Sequence, residues 1–436
     1  MKKILAVLLA STMAASALVG CGGNGDSSSQ GSDANSSSQG SADASDSSIF
    51  GDEDDIVLKV WAPESAKATF EEQCKDFVAL YPDKKISITV DVLTEAEVQT
   101  QVSNAPAKAA DVFGFPSDHL RKLVDSKLVS PIPEAFAEDV KANNSEVSVN
   151  AVTDNGTMYA YPETGDNGYY LVYDNTVVSA EQAGSLESIL EACKAQDKDF
   201  IMNVGDGYYA CTFAFTGGLK TDGIEYIDGE ATQKFVEYDE AEVVATLQAF
   251  SKLMHDYKDT FKSLSIDAVS SGFINNTCGA GIDGSWNTVA NQKALGDKFG
   301  VAKLPTIQVN GEAKQMVPML GYKFMGVNSA TKFPRAAHIL ANYLTGEECQ
   351  RERAEKLGWG PTNNTVSGEP VVTDNPAIKA INEQAAFAVP QVNVSSKFWT
   401  PMGTLGDKII AAETDPSDEA FFKKLLSDVL EQIYDL

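Results

Sequence analysis

The chain has 436 residues, of which 43% are hydrophobic and 22% are charged, so it can form ordinary globular domains, and its length favours two of them. Its formal net charge is -28 at pH 7. That charge argues against a nucleic-acid-binding protein, which needs a basic face, and against electrostatic docking on an anionic membrane surface.

Residues 1–20 have the pattern of a secretion signal. A charged start, Met1-Lys-Lys3, is followed by an apolar stretch over residues 4–19 that is short for a membrane span. The stretch ends in Leu18-Val-Gly-Cys21, which resembles a bacterial lipobox, in which the signal is cleaved before the cysteine and the thiol is lipidated. We therefore predict a lipoprotein signal peptide and lipid attachment at Cys21. A plain secretory peptide that happens to contain a cysteine is the alternative.

Residues 21–55 are predicted to be a flexible tether. Over residues 22–48 the chain is almost entirely Gly, Ser, Asp, Asn, Gln and Ala, with no aromatic or large aliphatic side chain. Such a segment cannot bury enough apolar surface to fold. A lipidated cysteine, a flexible tether and a globular body together predict a protein anchored at the extracellular face of the bacterial cell membrane.

The globular body begins with alternating strands and helices. Apolar periodicity predicts strands at residues 56–61, 86–92 and 111–116 and helices at residues 70–81 and 118–128. This order predicts a parallel sheet with helices packed over it. Two closely spaced strands follow, at residues 157–162 and 169–173, with a Gly/Asp/Asn-rich turn between them, and we interpret them as a crossing between lobes.

The rest of the chain is again mixed. Strands are predicted at residues 200–204, 278–282, 299–304 and 312–328, and helices at residues 240–257, 333–345 and 346–357. A C-terminal helix is predicted from apolar residues that share one face, namely Phe421, Leu425, Leu426, Val429 and Ile433. Neither an internal repeat nor an apolar stretch long enough to span a membrane occurs in the body.

The body's cysteines give no sign of a metal or redox site. They are widely spread and share no C-x-x-C spacing, which favours buried free thiols and leaves a disulfide open: Cys74, Cys193, Cys211, Cys278 and Cys349. The three histidines are scattered as well. We expect neither a metal nor a cofactor.

Residues 281–291 mark a point where a strand leads into a helix. Asp283-Gly-Ser285 offers turn chemistry and an N-cap, so Trp286 lies in the first turn, at the carboxyl end of a strand. Ligand clefts of α/β sheets open at that edge. An indole there offers a sugar ring a flat apolar face, whereas a core Trp that packs the sheet against its helix is an equal alternative.

Several motifs now align in order over residues 56–436. They are Trp61-Ala-Pro-Glu64, Gly156-Thr-Met-Tyr-Ala-Tyr-Pro162, Asp206-Gly-Tyr-Tyr209, Asp283-Gly-Ser-Trp286 and Phe398-Trp-Thr-Pro-Met-Gly403. Together they resemble the extracellular sugar-binding proteins of ABC importers (family 1 solute-binding lipoproteins), and most closely the maltose/maltodextrin-binding branch. Gly358-Trp-Gly-Pro-Thr-Asn363 is similar to a loop of its Gram-positive lipoprotein members.

This resemblance implies an α/β, two-lobed fold like that of periplasmic binding proteins, with hinge-crossing strands and a ligand cleft between the lobes that closes on the sugar. It places an N-terminal lobe at residues 56–167 and 321–375 and a C-terminal lobe at residues 168–320 and 376–436. The protein is expected to be a monomer.

The resemblance also implies aromatic ligand contacts. Trp286 and Trp399 match sugar-stacking tryptophans, and Tyr208 matches a stacking tyrosine of the second lobe. Phe115 falls where the first lobe usually has a Trp, a departure that keeps the apolar plate and loses the indole donor.

Polar contacts are implied in the same way. Glu64, Asp118 and Asp206 match carboxylates that bind sugar hydroxyls, and His119 stands where an Arg is common. A further carboxylate is expected between Pro162 and Tyr173, where this chain has one residue more than the family pattern. The candidates for that carboxylate are Glu163 and Asp166, and the sequence does not decide between them.

These features predict a surface-anchored binding protein, not an enzyme, that captures an oligosaccharide, most closely a malto-oligosaccharide, and delivers it to ABC permease subunits. A glycosidase with paired carboxylates is a rival, but the sequence has no nucleophile elbow, phosphate loop or metal-ligand motif. Further alternatives are a receptor for another oligosaccharide or a polyamine, which also suits carboxylates with aromatic plates, and a sugar sensor for a membrane kinase.

Overall fold

The computed structural model describes residues 47–434, except residues 228, 229, 266 and 393. The predicted signal peptide, Cys21 and most of the predicted tether lie outside these residues.

The folded chain begins before the predicted end of the tether. Phe50 is buried, with its ring edge-on to Phe77 of the first helix and to Tyr81, which follows that helix. The Glu53 carboxylate accepts a hydrogen bond from the backbone N–H of Arg335. The prediction of a tether over residues 21–55 is therefore wrong for residues 47–55, because their one aromatic side chain packs in the core.

The strands are β1 (Ile56–Ala62), β2 (Ile86–Val92), β3 (Val112–Pro116), β4 (Thr153–Asp154), β5 (Thr157–Met158), β6 (Tyr161–Asp174), β7 (Asp199–Ile201), β8 (Thr221–Ile227), β9 (Glu230–Phe235), β10 (Phe261–Lys262), β11 (Cys278–Gly284), β12 (Phe299–Ala302), β13 (Thr306–Val309), β14 (Glu312–Gln315), β15 (Met319–Val327) and β16 (Val389–Pro390).

The helices are α1 (Lys67–Leu80), α2 (Glu95–Asn104), α3 (His119–Asp125), α4 (Glu134–Asn143), α5 (Glu146–Ala151), α6 (Leu186–Ala195), α7 (Gly207–Thr216), α8 (Glu240–Asp256), α9 (Asp267–Ile274), α10 (Thr288–Leu295), α11 (Pro334–Leu344), α12 (Glu347–Leu357), α13 (Asn364–Ser367), α14 (Pro370–Thr373), α15 (Pro376–Gln384), α16 (Trp399–Ile410) and α17 (Glu419–Tyr434). Across the described residues, no helix combines the length and apolarity of a membrane span.

One continuous sheet runs in the order β10-β7-β11-β6-β15-β3-β1-β2, with β12 added to β6 and β16 added to β15. The parallel sheet predicted for the N-terminal strands is confirmed, because β1 pairs in parallel with β2 and β3. At the other end of the sheet, β7 pairs in parallel with β10 and β11. In the middle, β6 and β15 are antiparallel to each other.

Two large hydrophobic cores divide the molecule into lobes. The core of the first lobe includes Phe77, Phe113 and Phe324, and the core of the second lobe includes Phe213 and Phe250. This is the mixed α/β, two-lobed architecture that the sequence predicts.

Strands β6 and β15 pass from one core to the other. The side chain of Tyr161 at the start of β6 is in the first core, and that of Tyr169, further along the same strand, is in the second core. The predicted turn between residues 162 and 169 is therefore wrong. Its polar side chains are held within a continuous strand, and those of Glu163 and Asp166 are buried.

The body's cysteines, Cys74, Cys193, Cys211, Cys278 and Cys349, are all buried free thiols.

Candidate functional site

A cavity of about 430 Å³ lies between the two cores. Its wall includes side chains from β3 and α3 on the first-lobe side and from α7 and α16 on the second-lobe side. Six of the residues predicted as ligand contacts line it, namely Asp118, His119, Asp206, Tyr208, Trp286 and Trp399.

The second-lobe side of the cavity is an aromatic wall. The ring of Tyr208 lies 6.2 Å from that of Trp286, at an interplanar angle of 40°, and 6.1 Å from that of Trp399, at 56°. The ring of Tyr169 meets Tyr208 edge-on at 5.1 Å. Tilted, partly exposed rings of this kind offer apolar faces to a bound ring while their polar edges stay available.

Glycines bring the helices that carry this wall into contact. A Cβ on Gly207 would lie 2.0 Å from the carbonyl oxygen of Trp399, and a Cβ on Gly406 would lie 1.8 Å from that of Val204. No larger residue fits at either position, so the backbone of α16 touches that of α7 at Gly207 and that of the segment before α7 at Val204. This close approach explains why Tyr208 and Trp399, far apart in sequence, share one wall.

Trp286 is held by the turn that precedes α10. The Asp283 carboxylate accepts hydrogen bonds from the backbone N–H of Gly284 (2.7 Å) and from the amides of Asn287 (3.0 Å) and Asn291 (2.6 Å). The N-cap predicted within Asp283-Gly-Ser285 is wrong, because α10 begins at Thr288 and Asn287 is at its N-cap. The Ser285 hydroxyl donates a 2.8 Å hydrogen bond to the carbonyl of Asp166.

Asp118 provides a carboxylate on the opposite side of the cavity. Its Oδ1 accepts a 2.9 Å hydrogen bond from the amide of Gln391, and the oxygen of that amide accepts a 2.6 Å bond from Asn167. Burial raises the pKa of Asp118, while His119 and hydrogen bonding by Trp399 and Gln391 act in the opposite direction. The acceptor capacity that remains on this carboxylate suits a sugar hydroxyl, which is a hydrogen-bond donor.

His119 and Asp206 are the other polar groups predicted at the site. Within the described residues, the Nδ1 atom of His119 is buried without a hydrogen-bond partner. Burial lowers the pKa of His119, which favours the neutral imidazole. Asp206 caps α7 by accepting a 2.9 Å hydrogen bond from the backbone N–H of Tyr208, and burial raises its pKa.

Four predicted residues do not line the cavity. Phe115 is fully buried, with its ring edge-on to Phe324 at 6.1 Å, so its assignment as a wall residue is corrected. The physical reason is strand alternation: Phe113 and Phe115 share the core face of β3, while a Cβ on Gly114 would face Glu163 and Glu95 instead.

Glu64 is exposed and stands between two lining residues, Pro63 and Ser65. Neither candidate for the additional carboxylate reaches the cavity wall. Asp166 is buried and accepts a 2.8 Å hydrogen bond from the backbone N–H of Gly360. Neither oxygen of Glu163 has a hydrogen-bond partner among the described residues, and burial raises its pKa to about 7.

The sequence interpretation missed an ion pair at the cavity. The ammonium of Lys323 lies 2.6 Å from the carboxylate of Glu95, and both residues line the cavity. One signal was present, since Lys323 is the lone charged residue of β15, a strand that is otherwise apolar. Gln391 and Asn167, which also line the cavity, carried no such signal.

Comparisons with known proteins point to one family. A sequence profile for bacterial extracellular solute-binding proteins matches residues 66–380. The maltotriose-binding protein of Pyrococcus abyssi is 21% identical over 367 residues, which cover 84% of this chain and 79% of that protein.

Solved structures share the fold. The maltodextrin-binding protein of L. casei BL23, solved without ligand, has a TM-score of 0.72 at 22% identity, over 87% of this chain and 99% of that chain. The Thermus thermophilus maltotriose-binding protein, solved with maltotriose, has a TM-score of 0.72 at 19% identity, over 86% of this chain and 99% of that chain.

Proposed function

The chain belongs to the bacterial extracellular solute-binding proteins, and we propose that it captures a malto-oligosaccharide in the cavity between its lobes and delivers it to the permease of an ABC importer. The observation that carries the proposal is the aromatic wall of Tyr208, Trp286 and Trp399, which faces a cavity with carboxylates at Asp118 and Asp206. A neutral sugar needs these two elements, namely aromatic rings on which its C–H faces stack and hydrogen-bond acceptors that orient its hydroxyls.

The proposed ligand contacts extend beyond this wall. His119 contributes a ring nitrogen, and Glu64 supplies a carboxylate at the rim once the lobes move. Glu163 and Asp166 are buried on the first-lobe side, beside Gly114 and Gly360, and act through the electrostatic potential of the site. The similarity to proteins named for binding maltotriose and maltodextrin supports the choice of ligand.

We further propose that the lobes divide at the positions expected from sequence, with residues 56–167 and 321–375 in one and residues 168–320 and 376–436 in the other. Support comes from the two cores, because in both β6 and β15 the residues at one end pack in the first core and those at the other end pack in the second core. These strands are the hinge, and sugar binding shifts the protein toward the form in which the cavity is closed. The protein acts as a monomer and without cofactor.

Calorimetry with a panel of ligands tests the proposal. The panel is maltose, maltotriose, longer α-glucans, xylo-oligosaccharides and putrescine, and we expect saturable binding of the α-glucans only. Small-angle scattering with maltotriose should give a smaller radius of gyration. Chromatography after prolonged incubation should return the sugar intact, because the protein binds and does not cleave. Shortened chains would assign it to the glycosidases instead.

Two results would favour the other candidate functions. Binding of putrescine alone would indicate a polyamine receptor, in which Glu95, Asp118 and Asp206 neutralise a cationic ligand. Sugar binding without loss of import on deletion of the gene would indicate a sensor for a membrane kinase.

Anchoring through a lipid on Cys21 completes the proposal. It is supported by the lipobox-like Leu18-Val-Gly-Cys21 and by the low-complexity segment that follows. The Cys21→Ala variant should be released from membranes and lack the mass of the lipid. If it stays membrane-bound with the same N-terminal mass as the wild type, the anchor does not exist.

A further inference from the structure

Lys323 is a buried cation at the edge of the cavity. It is 5% exposed, and its ammonium pairs with the Glu95 carboxylate at 2.6 Å. Burial lowers the pKa of Lys323, but Glu95, Asp166 and Glu163 together outweigh that effect and raise it. The ammonium is therefore charged, and taking it out of water has a large cost that a single carboxylate offsets in part.

Aromatic rings surround this ammonium on two sides. It lies 4.9 Å from the ring centre of Trp359 and 5.4 Å from that of Trp286. Trp359 in turn lies 6.0 Å from the guanidinium of Arg353, which is 5.1 Å from the ring of Phe70. Cations and aromatic rings thus alternate from the core of the first lobe to the cavity, at distances where a cation attracts the face of a ring.

The last contact of this series joins the two lobes. Trp359 packs in the core of the first lobe, whereas Trp286 packs against the core of the second lobe. On its own side Trp286 lies against backbone, since a Cβ on Gly284 would meet its six-membered ring at 2.3 Å. The position of the indole is therefore limited by its own strand and by the Lys323 ammonium of the opposite lobe.

We propose that Lys323 is an interlobe positioning residue, whose ammonium, neutralised by Glu95, holds the indole of Trp286 against the first lobe when the cavity is closed. This inference rests on the proposed function, in which Trp286 stacks on the sugar. A sugar that binds between the lobes meets an indole that is already oriented, so less ordering has to accompany binding.

The test uses the variant K323M/E95Q, which removes both charges together. The single variant K323M would leave the partly buried Glu95 without its partner, and its loss of binding would then have two causes. We expect K323M/E95Q to bind maltotriose about 10-fold more weakly, which corresponds to about 1.4 kcal/mol. The matched control is K303M, because Lys303 also lies over an aromatic ring, that of Phe387 at 5.5 Å, and does not line the cavity.

A second readout does not depend on the ligand. Without the ammonium, Trp286 is less restrained, so acrylamide should quench tryptophan fluorescence more strongly in K323M/E95Q than in the wild type, and this difference should vanish when both carry W286F. A wild type that binds no α-glucan would refute the proposed function while leaving this measurement valid.

Two outcomes would overturn the positioning role. One is wild-type affinity together with wild-type quenching in K323M/E95Q. The other is weaker binding with unchanged quenching, which would assign Lys323 to direct contact with the ligand. A loss of stability alone would lower the melting temperature but would change neither the maltotriose affinity nor the acrylamide quenching of the folded protein.

Discussion

The amide of Gln391 donates a 2.9 Å hydrogen bond to the carboxylate of Asp118. Asp118 precedes α3, and Gln391 follows β16, so the bond links segments that are 273 residues apart. Asn167 of the crossing strand β6 extends it with a 2.6 Å bond to the other end of the same amide. The carboxylate that we propose for sugar binding is thus oriented by Gln391, which is itself held by the crossing strand β6.

The variant Asp118→Asn should separate binding from folding. An asparagine oxygen can still accept the hydrogen bond from Gln391, so the interlobe link survives. The charge is lost, and charge-assisted hydrogen bonds are worth about 1.5–3 kcal/mol, so maltotriose should bind roughly 10-fold more weakly or worse. Because burial already raises the pKa of Asp118, the melting temperature should be unchanged or higher.

Calorimetry and thermal melting on the same sample provide the check. Asp256→Asn is the control, because Asp256 pairs with Lys252 on the exposed face of α8 and is remote from the cavity. Wild-type affinity in Asp118→Asn would remove this residue from the binding site.

Trp286→Ala and Trp399→Ala should each weaken sugar binding by roughly 30-fold, since truncating an aromatic contact in a desolvated site typically costs about 2 kcal/mol or more. Maltotriose should shift the tryptophan emission of the wild type, and shift it much less in either variant. Trp61→Ala is the matched control, because Trp61 packs against Phe113 at 6.2 Å and does not line the cavity.

The control separates stacking from packing. Trp61→Ala should lower the melting temperature and leave affinity unchanged in the folded fraction. If Trp286→Ala behaves in the same way, with a large loss of stability and normal binding, Trp286 is a core residue, the alternative that the sequence leaves open.

The aromatic wall could be predicted because each of its members lies in a motif. Trp286 follows a strand end with turn chemistry, and Trp399 and Tyr208 lie in segments whose glycines let α16 and α7 touch. Phe115 could not be placed in the same way. All residues of β3 but Pro116 are buried, and the sequence of a strand buried on both sides does not reveal which side chains face the cavity.

The ion pair of Lys323 and Glu95 could not be predicted from the sequence, for a different reason. The two residues are far apart in the chain, and they meet because β15 crosses from one lobe to the other and runs beside β3. Which residue of a crossing strand faces the cavity depends on its register, and β15 pairs with β6 irregularly around Lys323. The hydrophobic pattern of the sequence does not predict this irregular register.

The stability of the protein should depend on the ionisation of Glu163. Burial raises the pKa of Glu163 from 4.5 to about 7. Between these values the folded protein holds a proton that the unfolded chain has lost, so this contribution to stability is present below pH 4.5 and is lost as the pH rises through about 7.

Glu163→Gln cannot ionise and should lack this dependence. Urea unfolding should be measured at pH 5 and pH 8. The free energy of unfolding of Glu163→Gln relative to that of the wild type should be higher at pH 8 than at pH 5. Glu413→Gln, at an exposed position, should stay parallel to the wild type. If Glu163→Gln also stays parallel, the carboxyl is ionised in the folded state at pH 5 through its neighbours Arg353 and Lys323.

Gly284→Ala offers the sharpest test of the orientation of Trp286, because it removes no aromatic side chain. The added Cβ would lie 2.3 Å from the indole, so the ring must move. We expect maltotriose affinity to fall about 10-fold, with a changed tryptophan emission in the ligand-free protein. Gly184→Ala is the control, since its Cβ would meet nothing within 4 Å. Unchanged affinity and emission in Gly284→Ala would mean that sugar binding does not depend on the position of this indole.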